Sequence, residues 1–354
     1  MFGRRVSRKV KAGHVEIGGK APISIQSMTN TDTRDFETTS RQILALQDAG
    51  CEIIRIAIPD MEAAENIKKL KTAVKVPLVA DIHFDYTLAL KSIEMGIDKI
   101  RINPGNIGSF ENVRKVADAA KEKGIPIRIG INSGSIEKRL LEKYGGATPE
   151  AMVESALTHG DILLKAGFYD IVYSLKASNV PMTVAAYRYI ADKTDAPLHI
   201  GITEAGTEFQ STVKSSAGLG ILLSEGIGDT MRVSVTGDPL VEVKIAKSIL
   251  RSLDLRKDGI EIISCPTCGR TCTDIIPIVK EIEDRIQGYN QNMKIAIMGC
   301  AVNGPGEAKE ADAGVACGKN EGLIFRKGEV IRKVREEEIV ENLMREINDF
   351  DKHR

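Results

Sequence analysis

The sequence predicts an α/β protein in which a (β/α)8 TIM barrel is followed by a small α+β domain. Three observations predict it. Short β-branched runs recur eight times before the last quarter of the chain. Helical patterns separate them, with short links. A polar stretch, Asp254 to Gly259, then breaks the pattern, and a second module with its own strands and helices follows. Alternating strands and helices with short links imply parallel strands and right-handed crossovers. Eight such units in one chain match a closed barrel better than an open doubly wound sheet, which would show a switch point and fewer strands.

The strand runs are Ile23–Gln26, Ile53–Ala57, Pro77–Ile82, Lys99–Asn103, Pro126–Asn132, Asp170–Leu175, Leu198–Thr203 and Met231–Val235. They are mostly apolar, as strands covered on both faces should be. Helices are expected at Phe36–Ala49, Met61–Val74 and Phe110–Lys123, the first and third stopped by Gly50 and Gly124. Thr148 and Pro149 read as an N-cap and first helical residue. Residues 6 to 19, with Gly18 and Gly19, read as a hairpin that plugs the bottom of the barrel. The helix Pro239–Leu253 closes the last unit, so the domains are expected at residues 1–255 and 256–354. The second module reads as a strand at Glu261–Ser264, a helix at Asp274–Gln287 and a strand at Lys294–Met298. A glycine-rich loop, a hairpin around Gly322–Val330 and a charged helix from Glu336 follow.

Apolar residues make up 42% and charged residues 28% of the chain, as in ordinary soluble globular proteins. The 49 basic and 49 acidic residues cancel, so no global field draws the protein to nucleic acid or membrane, and any anion site must be local. Only 4% of residues are aromatic, which leaves no stacking platform for bases. No apolar run has the length of a signal peptide or a membrane span. A cytoplasmic location is therefore expected, where clustered cysteines read as metal or catalytic sites before disulfides.

A barrel carries its chemistry at the C-terminal ends of its strands. Arg55, Arg101, Arg128 and Arg232 lie within otherwise apolar strands, and Lys176 ends the sixth. Buried cations are costly unless they face an anion. Against them stand only Asp81 and Glu204 as acids at the strand ends, so positive charge is left over. The loops Pro104–Gly108 and Asn132–Ser135 can add backbone N–H donors. The expected ligand is of diphosphate type, for which arginine's planar fork is suited. Asp81 and His83 are placed to orient these groups or simply to line the barrel. Cys51, alone at a helix-to-strand junction, reads as a small buried apolar residue.

Five of the six cysteines (265, 268, 272, 300 and 317) lie in the last quarter of the chain. Cys265 and Cys268 form a CxxC turn, and Cys300 follows a strand in a glycine-rich loop. Three thiolates so arranged suit an iron–sulfur cluster; structural zinc and a redox dithiol are the rivals, the first lacking a second CxxC pair. Spacing leaves the fourth ligand open among Cys272, Cys317 and Glu307. With zinc instead of iron, the chain would read as a redox-neutral barrel lyase, with Lys176 where a Schiff-base lysine sits.

CPTCGRT at 265 to 271, MGCAVNGPGEAKEADAG at 298 to 314, and the barrel segments QSMTNTDT, RINPGNIG and RIGINSGS together carry a resemblance. The chain resembles the 4-hydroxy-3-methylbut-2-en-1-yl diphosphate synthase family of the non-mevalonate isoprenoid pathway, in its two-domain bacterial form. The resemblance spans essentially the whole chain. It implies an iron–sulfur oxidoreductase with a [4Fe–4S] cluster on Cys265, Cys268, Cys300 and Glu307, with Cys272 and Cys317 off the metal. Glu307, a labile ligand, is thereby expected to act in catalysis too. The implied reaction opens the ring of 2-C-methyl-D-erythritol 2,4-cyclodiphosphate and removes a hydroxyl as water, with two electrons from ferredoxin or flavodoxin. Diphosphate binding falls on Arg55, Arg101, Arg128, Asn132, Lys176, Arg232 and Ser234, and the acid on Glu204. The family is a homodimer in which one subunit's cluster domain covers the other's barrel mouth.

Overall fold

A computed structural model describes residues 3–103, 105–257, 259–289, 291–300 and 310–350. The chain divides into two compact units, Met1–Leu255 and Arg256–Arg354.

The first unit is built around eight parallel strands: β3 (Ser24–Met28), β4 (Ile53–Ala57), β5 (Leu78–Asp81), β6 (Lys99–Ile102), β7 (Ile127–Asn132), β8 (Ile171–Lys176), β9 (His199–Ile200) and β10 (Thr230–Met231). The ladder runs in chain order from β3 to β8, while β10 pairs with β3 (Ser24 opposite Thr230) and with β9. A bridge between Tyr173 and Leu198, with Tyr173 N–H donating to Pro197 O at 3.0 Å, joins β8 to the start of β9 and closes the barrel. β5, β6 and β8 are buried along their whole length. β9 and β10 are shorter than their apolar runs. Beyond them the chain stays beside its neighbours through single bonds, Thr203 N–H to Ala177 O at 3.3 Å and Arg232 N–H to Ile200 O at 3.0 Å.

The helices between strands start where the sequence places cap residues. Asp35, Asp60 and Thr148 accept from Thr38, Ala63 and Ala151 N–H, opening α1 (Phe36–Asp48), α2 (Met61–Ala73) and α6 (Pro149–Lys165). Between these last two lie α3 (Tyr86–Glu94), α4 (Phe110–Lys123) and α5 (Lys138–Tyr144). Gly124 ends α4 at φ +65°, a conformation costly for any side-chain-bearing residue. After α7 (Val180–Ala191) and α8 (Glu208–Ser224), α9 (Pro239–Ser252) completes the ring. The helix stripes and the outward faces of the strands pack as one continuous core, with Ile43, Leu46, Ile67, Ile102, Ile129 and Leu250 among its members.

The interior of the barrel is different. At the bottom, the antiparallel pair β1 (Val10–Ala12) and β2 (Val15–Ile17) supplies Val10, Ala12 and Ile17, which pack against Ile53, Val79 and Val172 from the strands. This hairpin is an apolar floor. Asp229, just before β10, ties the N-terminal segment down, accepting from Arg4 at 3.2 Å, Ser7 Oγ at 2.7 Å and Leu198 N–H at 2.9 Å.

The second unit is a five-stranded sheet in chain order: β11 (Ile260–Ser264), β12 (Met293–Met298), β13 (Ala313–Gly318), β14 (Glu321–Arg326) and β15 (Glu329–Arg335). The first three are parallel and the rest antiparallel. α10 (Ile275–Arg285) and α11 (Ile339–Asn348) supply Ile275, Ile282, Leu343 and Ile347 to a core of its own. In place of the hairpin expected around Gly322–Val330 there is a three-stranded meander, because Ala313–Gly318 forms a strand beside it.

Candidate active site

Alternation along a strand puts every second side chain inside a barrel. In β6 that pattern turns Lys99 and Arg101 inward, in β7 Arg128, in β8 Lys176, and in β4 Arg55. Arg232 follows β10 and reaches the same space. Above its apolar floor the barrel is therefore lined by cations, where filled barrels usually carry Val, Ile and Leu. Two glycines make room: a Cβ on Gly130 would meet Arg101 Nε at 2.7 Å, and one on Gly201 would meet Lys176 Nζ at 2.8 Å.

The polar contacts are sparse. Asp81, at the end of β5, accepts from Arg101 Nη1 at 3.2 Å and lies 3.8 Å from Arg55 Nε. His83 stands 3.3 Å from Asp81 Oδ2 and 3.2 Å from Arg101 Nη1 through Nε2. Arg101 also donates to Gly130 O at 3.2 Å. Arg55 Nε lies 2.9 Å from Met28 Sδ. Arg128 Nη1 donates to Gln26 Oε1 at 3.4 Å, and Lys176 Nζ lies 3.4 Å from His199 Nε2.

One carboxylate escaped the sequence reading. Glu242, on α9, takes a bidentate contact from Arg232 (Nε 3.0 Å, Nη2 2.9 Å) and accepts from Ser27 Oγ at 2.7 Å. The acids set against the cations are therefore Asp81 and Glu242. Glu204 is exposed, and among the described residues no ion pair joins it to a barrel arginine. Six cations (Arg55, Lys99, Arg101, Arg128, Lys176 and Arg232) face these two buried carboxylates.

The imbalance shows in the proton affinities. Burial would raise the Asp81 carboxyl, but Arg55, His83 and Arg101 outweigh it and hold it far below the usual range. Burial pulls Arg55 down to about 10 despite Asp81. Burial, then the charges of Arg128, Arg232 and Arg55, push the Lys176 ammonium well below its ordinary value. Such groups are in want of an anion. Arg55, Arg101 and Arg232 keep some solvent exposure, so an anion entering the mouth reaches them directly.

The other expected residues stand around this basin. Asn132 ends β7 opposite Lys176 in the register and is exposed. Ser234 is half-buried, its carbonyl accepting from Ser211 Oγ at 2.7 Å. Glu204 follows β9 with φ +51°, the left-handed region that non-glycine residues rarely take and that concentrates at functional sites.

In the second unit, the parallel pairing of β11 and β12 brings the loops after them together. Gly299 N–H donates to Cys265 Sγ at 3.2 Å, and Cys272 N–H donates to Gly299 O at 2.8 Å. Cys300, next in the chain, is half-buried, and Cys268 is exposed. The Cys268 thiol is lowered by a backbone hydrogen bond from Arg270. Cys317, on β13, is buried, and burial raises its thiol to about 12. An amide donor on one sulfur and a lowered thiol on another suit thiolate ligation. Among the described residues, no three His, Cys, Asp or Glu side chains close a metal site, and Glu307 lies outside the described residues.

Comparison with known proteins places the chain. The GcpE TIM-barrel domain model matches residues 7–247, and the GcpE protein C-terminal domain model matches residues 261–349. The chain belongs to the GcpE family. Among curated relatives, the 4-hydroxy-3-methylbut-2-en-1-yl diphosphate synthase (flavodoxin) of Ruminiclostridium cellulolyticum is 59% identical over 347 residues, covering 98% of each chain. That of Caldanaerobacter subterraneus subsp. tengcongensis is 59% identical over 344 residues, covering 97% of each. Among solved structures, dihydropteroate synthase from Yersinia pestis covers 70% of this chain and 98% of its own, with a TM-score of 0.50 and 13% identity. That likeness concerns the barrel fold alone. No helix among the described residues of this GcpE-family chain is long and apolar enough to cross a membrane.

Proposed function

We infer that this chain is an iron–sulfur oxidoreductase that converts 2-C-methyl-D-erythritol 2,4-cyclodiphosphate to 4-hydroxy-3-methylbut-2-enyl diphosphate, with flavodoxin as electron donor. One observation carries the reading: relatives bearing that activity in their names are 59% identical over both units of the chain. The barrel supports it, since six inward cations against two carboxylates make a basin for a multiply charged anion.

The reaction consumes two electrons and one proton, opens the ring at a carbon–oxygen bond to phosphate, and releases one oxygen as water while the freed phosphate oxygen keeps its charge. A [4Fe–4S] cluster held by Cys265, Cys268, Cys300 and Glu307 would supply the electrons when bound. Arg55, Arg101 and Arg232 hold the diphosphate at the mouth, and Arg128 and Lys176 hold it from below. Asn132 and Ser234 add hydrogen bonds at the rim. Ring opening leaves a new charge on a phosphate oxygen, which these cations already face, so little reorganisation is needed as it forms. Asp81 keeps Arg101 and His83 in place, and Glu242 does the same for Arg232. Glu204 donates a proton to the departing hydroxyl. The enzyme works as a homodimer in the cytoplasm.

The test is iron, acid-labile sulfide and zinc content of anaerobically purified protein, with EPR after dithionite reduction. The expected result is roughly four iron and four sulfide per chain, as a cubane cluster requires, with a signal that the cyclodiphosphate perturbs. Stoichiometric zinc without sulfide, even after anaerobic reconstitution, would overturn the reading.

A further inference from the structure

Beneath the substrate basin, the barrel holds polar atoms that the diphosphate-binding set does not account for. Gln26 sits mid-way along β3, Lys99 opens β6, Arg128 is second in β7 and His199 opens β9. Arg128 contacts Gln26 and His199 contacts Lys176, while the alternation of β6 turns Lys99, fully buried, into the same interior. Each is at most 1% exposed. Yet Gln26 Nε2, Lys99 Nζ, Arg128 Nε and His199 Nδ1 have no hydrogen-bond partner.

Buried polar atoms without partners are rare, and each calls for an occupant or a cause. The inventory here is one-sided. Lys99 brings three N–H donors, Gln26 two and Arg128 Nε one; His199 Nδ1 donates or accepts with its tautomer. The barrel's carboxylates are spoken for at the mouth, Asp81 by Arg55 and Arg101 and Glu242 by Arg232. Water carries as many hydrogens as lone pairs and would pass the surplus of donors on. An anion only accepts, and it also offsets charge.

We propose that Gln26, Lys99 and Arg128 enclose a small inorganic anion of the halide class, beneath the substrate's diphosphate site, the two sites meeting at Arg128. The charges around it come from every side of the barrel: Arg55, Arg101, Lys176 and Arg232 above, with Asp81 and Glu242 among them. Without a counter-ion, burial and then the charge of Arg128 push the Lys99 ammonium well below its ordinary range. With one, Lys99 keeps its proton, and the potential of the basin above is moderated by a resident negative charge. The site concerns the empty enzyme and does not depend on which reaction the barrel performs.

Thermal unfolding of the full-length protein in potassium chloride and in potassium gluconate, at equal ionic strength, tests it beside Lys99→Met. Methionine is similar in length and uncharged, and it leaves every mouth cation in place. Chloride is expected to raise the Tm of the unsubstituted protein by about 2–4 °C over gluconate and to leave Lys99→Met unchanged. Crystals of the unsubstituted protein transferred to bromide should show an anomalous peak within hydrogen-bond reach of Lys99 Nζ and Arg128 Nε. Equal chloride effects in both proteins would overturn the proposal, as would a Lys99 surrounded only by water or by nothing. A bromide peak with no differential Tm shift would mark an adventitious ion only and would also overturn it. If Lys99→Met does not fold, the bromide peak decides alone.

Discussion

Lys176 lies beside the His199 imidazole and, among the described residues, has no carboxylate in salt-bridge reach, the charge of Glu242 acting on it only weakly, so folding alters its proton affinity. An unfolded lysine titrates near about 10.4. In the folded barrel burial, reinforced by three arginines, holds it well below. Between the two values the unfolded chain binds the extra proton, so stability rises with pH through that window, by up to about 1.4 kcal/mol per pH unit. Lys176→Met should flatten the pH dependence of urea stability on the alkaline side by about one proton. An unchanged slope would mean the folded lysine stays charged. Glu204→Gln should retain cyclodiphosphate affinity and lose most turnover, about 100-fold or more for a lost general acid; unimpaired turnover would remove it from the reaction. The mouth cations were legible because an arginine in an apolar run is conspicuous. Lys99 was not, since a lysine opening a strand reads as one reaching for solvent. Gln26 and His199 lack charge and gave no signal. Glu242 lay hidden because its helix, not a strand end, delivers it.

At the scale of elements, the floor and the seam decide how well the basin is held. Ile17 is fully buried in the floor, and Ile17→Ala should cost about 2–5 kcal/mol, as deletion of a packed isoleucine does. Denaturant unfolding of the first unit measures it. Breaking the buried Arg232–Glu242 pair is a different kind of loss. Glu242→Gln should lower stability by about 3–5 kcal/mol, because the guanidinium is left without its carboxylate. A near-neutral result would show that Arg232 finds another acceptor. Most elements were readable from period and caps: α4 starts and ends where Phe110 and Gly124 placed it. β13 was not, because Ala313-Gly-Val-Ala-Cys-Gly318 has too few bulky residues for a strand. Gly314 explains the composition, for a Cβ there would meet the Phe325 ring at 2.3 Å. β9 and β10 were overdrawn, since apolar runs continue past the point where regular pairing stops.

Among the described residues, the largest cores of the two units share no members, one around the barrel strands and one between the second sheet and its helices. Calorimetry should resolve two transitions, with Leu343→Ala lowering only the one that belongs to the second unit. A single transition shifted as a whole would mean that the units unfold together. The two-part plan was legible because the strand–helix period ends at a polar linker. How the cysteine loops of the second unit would close on a metal was not, since spacing singles out three thiols and leaves the fourth ligand open. The barrel's closure has a further consequence. Thr230 Oγ1 donates to Ser24 O across a separation of 206 residues, at the pairing where the last strand meets the first. At about 5–20 residues per second, a ribosome needs about 10–40 s to supply that partner. For that interval β3 has β4 on one side and an open edge on the other, which is where nascent chains stick to one another. Synonymous codons that slow translation between these strands should therefore lower the soluble yield of a protein whose sequence they leave untouched.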